Sequence, residues 1–253
     1  MWDVVWVFLS AVAAGGINSV VGSGTLVTFP TLLAVGFDPV SANVSNSLGL
    51  VFGGATATWG YRRELSGRWR TVRSLLPVSA SGALVGAVLL LALPADTFEA
   101  VVPVLIVIAV FLVLVQPWWA RSVARRQTGT EIRGRWRAAL LAGVFLTGVY
   151  GGYFGAAQGV LLIGLLGVLL TVSLQEVVAV KNVLGAVVNG LAAVVFLVVS
   201  PQRIDGGAVA VIAVGSLIGG ALGAGVGRRL SPVALRAVIV MVGAAATVSL
   251  SVS

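Results

Sequence analysis

Cysteine and histidine are both absent from the 253 residues. Their absence removes disulfides, thiol chemistry, imidazole metal ligands and the usual neutral-pH base in one step. Charge is scarce too: 9% of residues are charged, against roughly 25% in a soluble domain. What remains is apolar, at 58% of the chain with a mean hydropathy of +1.08. No water-soluble fold hides that much apolar surface, so the bilayer is the solvent that fits. The expected fold class is an all-α polytopic membrane protein. The first apolar stretch lacks a basic flank and an A-x-A cleavage site, and it reads as a retained span.

The net charge is +8. It does not point to nucleic acid, because the arginines sit in short loops between apolar runs, where they act as topology signals facing anionic lipid. Ten hydrophobic segments are legible: 2–21, 25–36, 42–60, 74–93, 98–116, 138–154, 156–170, 177–199, 207–227 and 233–252. Segments 25–36 and 156–170 are short for a crossing that needs roughly 20 residues. They read as half-helices or hairpin arms. Arg62 to Arg73, Arg121 to Arg137, and Arg228 with Arg229 mark three cytoplasmic loops. Asp38, Asp96, Glu99 and Asp205 then face outward, as do both termini, and only Arg203 breaks the pattern. The expected location is a multi-pass plasma-membrane protein.

The chain repeats itself. Val44 to Gly54 aligns with Val180 to Gly190 through V-x-N-x-L-G-x-V-x-x-G, with six of eleven positions shared. Gly22 with Ser23-Gly24-Thr25 matches Gly155 with Ala156-Ala157-Gln158-Gly159, and Gly82-x-x-x-Gly86 matches Gly215-x-x-x-Gly219. Five segments per half is an odd number, so the halves are expected in opposite orientations, with any site at the midplane between them. The expected organisation is an N-terminal repeat at 1–117, a basic linker at 118–137 and a C-terminal inverted repeat at 138–253. A duplicated scaffold without transport is the plainer alternative.

Few residues can carry chemistry. Lys181 is the only lysine. A charge at membrane depth costs on the order of 3 kcal/mol, and an anionic ligand would supply its missing partner. Snorkelling to the interface or pairing with Glu176 are the competing readings. Asn46 and Asn182 are a repeat-related pair whose amides suit an oxyanion or a helix–helix hydrogen bond. Ser23, Thr25 and Gln158 fall where a long segment meets a short one. A helix break there would expose N-terminal backbone N–H groups to an anion. A tight crossing at small residues is the alternative. The ladder Gly215, Gly219, Gly223 and Gly227 reads as packing. The tryptophans read as interfacial anchors. Asn18 and Asn189 are further polar residues in apolar context.

The run Gly22-Ser23-Gly24-Thr25-Leu26-Val27-Thr28-Phe29-Pro30, the run Ala42-x-x-x-Asn46-Ser47-Leu48, and their echoes in the second half resemble the TauE/SafE family. The resemblance covers essentially the whole chain. It implies a bacterial plasma-membrane permease for sulfite, sulfonates or related anions. The chain departs from the family's glycine triplets at Ser23-Gly24-Thr25 and Ala157-Gln158-Gly159, next to the expected site.

The combined expectation is a secondary transporter, an exporter, that holds a small anion among Ser23, Thr25, Asn46, Gln158, Lys181 and Asn182 while the halves rock about it. An inside-negative potential favours anion exit by about 2.3 kcal/mol per charge per 100 mV, which permits uniport. Proton coupling would require Lys181 or the substrate itself to titrate. An anion channel is the rival. An intramembrane enzyme lacks a nucleophile with its base, or a metal cage. No cofactor, metal or nucleic acid is expected. The expected partners are the anion and the bilayer, and the sequence is compatible with a homo-oligomer.

Overall fold

The computed structural model describes residues 2–124, 134–170 and 172–226. Those residues are helical, with no strand among them. The elements are α1 (Trp2–Val20), α2 (Thr25–Ala34), α3 (Pro39–Gly60), α4 (Arg62–Leu65), α5 (Trp69–Ala92), α6 (Ala95–Ala124), α7 (Arg135–Tyr153), α8 (Gln158–Leu169), α9 (Leu174–Val199), a 3₁₀ turn η1 (Pro201–Arg203) and α10 (Gly206–Val226). Segment 233–252 and the arginines at 228 and 229 lie outside the described residues, as do residues 125–133 of the basic linker.

Five of these helices are long and apolar enough to cross a membrane: α1, α5, α6, α9 and α10. Large apolar side chains face outward, with Val198 76%, Leu146 64% and Phe111 62% exposed. In water that surface would aggregate; against lipid chains it is solvated. α3 has 22 residues but turns Asn43, Ser45, Asn46 and Ser47 inward, which lowers its hydropathy while leaving its length. α2 and α8 have 10 and 12 residues. At about 1.5 Å per residue each spans about half of the hydrocarbon core.

Caps correct several expected boundaries. α3 starts at Pro39 rather than 42, because Asp38 accepts from the Ser41 N–H at 3.0 Å and proline suits a first helical position. α9 starts at Leu174 rather than 177. There Ser173 and Glu176 form a reciprocal capping box. α5 reaches back to Trp69, α7 back to Arg135, and α6 runs on to Ala124.

α1 lies against α10 and α5 against α7, while α3 lies against α10 and α9. Glycines set the two closest crossings. A Cβ at Gly219 would stand 2.0 Å from the Val12 carbonyl on α1, and one at Gly86 would stand 2.0 Å from the Val149 carbonyl on α7. Backbones this close permit the dense contact that drives helix association in lipid.

Candidate functional site

Two interrupted helices build the centre. α1 stops at Val20, and Gly22 turns the chain at φ +85° with its N–H donating back to the Ile17 carbonyl at 3.1 Å. α7 stops at Tyr153, and Gly155 turns at φ +77° with its N–H donating to the Tyr150 carbonyl, also at 3.1 Å. Both glycines occupy the left-handed region that side chains resist. These are the positions aligned across the repeat, so both expected breaks form.

The breaks touch. The Gly159 N–H donates to the Gly22 carbonyl at 3.0 Å. A Cβ at Gly22 would lie 2.4 Å from the Gly159 Cα and 3.1 Å from the Lys181 Cδ. The lysine stem therefore runs beside two residues that can only be glycine.

α9 closes the arrangement. A helix leaves its last carbonyls unsatisfied, and α1 ends in the protein interior. The Lys181 Nζ donates to the Asn18 carbonyl at 2.7 Å, and the Asn182 amide donates to the Ser19 carbonyl at 3.1 Å. The partial negative charge of a helix C-terminus suits the ammonium. Lys181 is 2% exposed, which rules out snorkelling. Pairing with Glu176 is also ruled out. That carboxylate accepts from the Arg68 Nε at 2.7 Å and from the Ser173 N–H and hydroxyl.

A small cavity, about 30 Å³, lies at this junction. That is space for about two waters. Thr25, Gln158, Lys181 and Asn182 line it, with Asn18, Asn189, Gly22, Gly155 and Gly159 beside them and Gly54, Ala57, Gly185 and Ala186 completing the wall. Among the described residues no acidic side chain lines it, and Lys181 is its one charged group. Thr25 and Gln158 are the first residues of α2 and α8, so two helix N-termini add partial positive charge. The Gln158 Nε2 is buried without a hydrogen-bond partner among the described residues.

Two expected site residues stand apart. Asn46 is a brace for α2: its Oδ1 accepts from the Thr28 hydroxyl and its amide donates to the Thr25 hydroxyl at 3.3 Å. It does not line the cavity. Ser23 is buried outside the lining, with its hydroxyl unpartnered among the described residues. Asn18 takes a larger part than its side chain suggests. Its backbone carbonyl receives Lys181, while its Oδ1 accepts from the Gly24 N–H at 3.3 Å at the start of α2.

The profile of the family described as Sulfite exporter TauE/SafE matches residues 7–250. Curated relatives include the probable membrane transporter protein ORF9 of a Sinorhizobium species, 32% identical over 102 residues covering 40% of this chain and 39% of the relative. The probable membrane transporter protein YfcA of Escherichia coli K12 is 30% identical over 153 residues, covering 60% of this chain and 54% of the relative. A probable membrane transporter protein of Haemophilus influenzae is 26% identical over 155 residues, 60% of this chain and 57% of the relative. The chain thus spans about half, or less, of the curated relatives it matches. With the profile covering nearly its full length, the chain belongs to the TauE/SafE sulfite exporter family of membrane transporters.

Proposed function

We propose that this protein is a secondary exporter of a compact oxyanion, sulfite or the sulfo head of an organosulfonate, working by alternating access about the cavity between its two breaks. The observation that carries this reading is the charge pattern of that cavity. It holds one buried ammonium, two helix N-termini and neutral amides, with no carboxylate among the described residues to balance them. A buried charge without a partner is expensive, and an anionic ligand restores the balance.

The two-fold reading of the chain supports the mechanism. Halves at 1–117 and 138–253 carry the same glycine turn, the same short helix and the same Asn-bearing helix. Their contacts are reciprocal, with α1 of the first half against α10 of the second and α7 of the second against α5 of the first. An inverted repeat has this pattern. With the arginine-rich loops in the cytoplasm, both termini lie outside.

The test is reconstitution in liposomes with sulfite efflux as the readout, and organic sulfonates and carboxylates as comparison substrates. Saturable efflux far below channel rates is expected from the wild type. Lys181→Ala removes a charged hydrogen-bond partner worth about 1.5–3 kcal/mol, a loss of roughly 10- to 100-fold in apparent affinity. Wild-type flux that fails to saturate indicates a channel. A folded wild type that moves none of these anions rejects the reading.

A further inference from the structure

We propose that Lys181 also carries a proton, so that one proton travels with each monovalent anion and transport is electroneutral. The inference rests on the transporter reading above and goes beyond it by assigning the coupling ion and its site.

Among the described residues Lys181 is the only titratable side chain that lines the cavity. The described elements around it offer no substitute. α2, α3, α8 and α10 contain no charged residue within their bounds, and α1 has only Asp3, in its first turn. On the helices packed against α9, Arg70 and Arg73 sit in the first turns of α5, and Arg135 and Arg137 in the first turn of α7. Arg62, Arg63 and Glu64 lie on α4, with Tyr61 before it, and Asp96 and Glu99 open α6. Tyr150 and Tyr153 end α7, and Arg203 and Asp205 flank the start of α10. On α9 itself, Glu176 is taken by Arg68 and Ser173. None of these lines the cavity.

An empty site therefore has no carboxylate to neutralise the ammonium. A bound anion neutralises it in the loaded state; loss of a proton does so in the unloaded state. The Asn18 carbonyl can accept from an ammonium and, more weakly, from an amine, so the same contact serves both forms. The cycle balances. The ammonium and the anion cross as a neutral pair. On the far side the anion leaves and the ammonium gives its proton to water. The neutral amine returns and is protonated on the loading side. One anion and one proton move in the same direction, with no net charge.

The experiment uses the full chain in liposomes, with methanesulfonate as the probe because it remains a monoanion across the working range. Net efflux is measured under an imposed potential at equal pH, then under a pH gradient at zero potential, while an interior dye reports protons. The expected result is efflux accelerated by an acidic interior, unchanged by potential, with one proton leaving per anion. Lys181→Arg keeps a fixed charge. It is expected to lose net efflux at least tenfold more than it loses anion–anion counterflow, which never returns an empty site. Wild-type net efflux driven by potential without proton movement overturns the proposal even if counterflow persists, and it does so whether or not the arginine variant folds. Absence of saturable counterflow of either methanesulfonate or sulfite in the wild type overturns the transporter reading itself.

Discussion

The seam between α3 and α10 is clasped over Gly49, while the related seam between α5 and α9 leaves Gly185 uncovered. On the first, the Ser216 hydroxyl donates to the Gly49 carbonyl at 2.9 Å and accepts from the Gly53 N–H at 3.2 Å, and Thr56 donates to the Leu217 carbonyl at 3.2 Å. Ile212 fills the space over Gly49. On the second, the aligned positions on α5 are Ala83 in place of Ser216 and Ser79 in place of Ile212. An alanine cannot clasp, and a serine is too small to fill. Among the described residues nothing lies within 4 Å of where a Cβ would stand on Gly185, the counterpart of Gly49. Gly185 lines the cavity. The uncovered glycine thus borders the site, and the covered one does not.

The largest expected effect compares the two turns. Gly22→Ala places a methyl 2.4 Å from the Gly159 Cα at a positive φ. It should cost about 3 kcal/mol or more, read as a lower melting temperature in detergent. Gly155→Ala meets its nearest atom, the Gly151 carbonyl, at 3.2 Å and should cost mainly the left-handed strain, about 1–2 kcal/mol. Equal losses would break the asymmetry between the turns.

The seams come next. Gly49→Ala would press on Ile212 at 2.5 Å, an overpacking cost of about 1–3 kcal/mol. Gly185→Ala should leave melting nearly unchanged while slowing transport, because its methyl projects beside the cavity. Ser216→Ala should cost about 0.6 kcal/mol, the mean for hydrogen bonds between membrane helices. A neutral result there would assign the closure to Ile212 alone. The smallest effect is expected at the Arg68–Glu176 pair, whose side chains are 33% and 23% exposed. Arg68→Ala should cost about 1 kcal/mol or less, lessened further by salt.

Residue chemistry made much of this arrangement legible beforehand. Gly22 and Gly155 stood where a long apolar segment meets a short one, and both became breaks. Lys181 stood out as a single cation in an apolar helix, and it lines the cavity. What escaped depends on partners distant in the chain. The Asn18 carbonyl is a backbone group, so its hold on Lys181, 163 residues away, leaves no trace in side-chain identity. Arg68 meets Glu176 across 108 residues, which freed Lys181 from the pairing that sequence proximity suggested. Asn46 has the chemistry of a ligand but faces α2, because a helix position fixes a side chain's direction only once its neighbours are placed. The Ser173–Glu176 capping box was present in the sequence as a local signature, and it accounts for the earlier start of α9.

The most direct measurement is concentration-dependent sulfite counterflow in liposomes, comparing the wild type with Lys181→Ala at matched amounts of folded protein. An anion site built around this ammonium requires saturable counterflow in the wild type and at least a tenfold loss in the variant. Saturable counterflow left intact in Lys181→Ala would place the anion elsewhere in the protein.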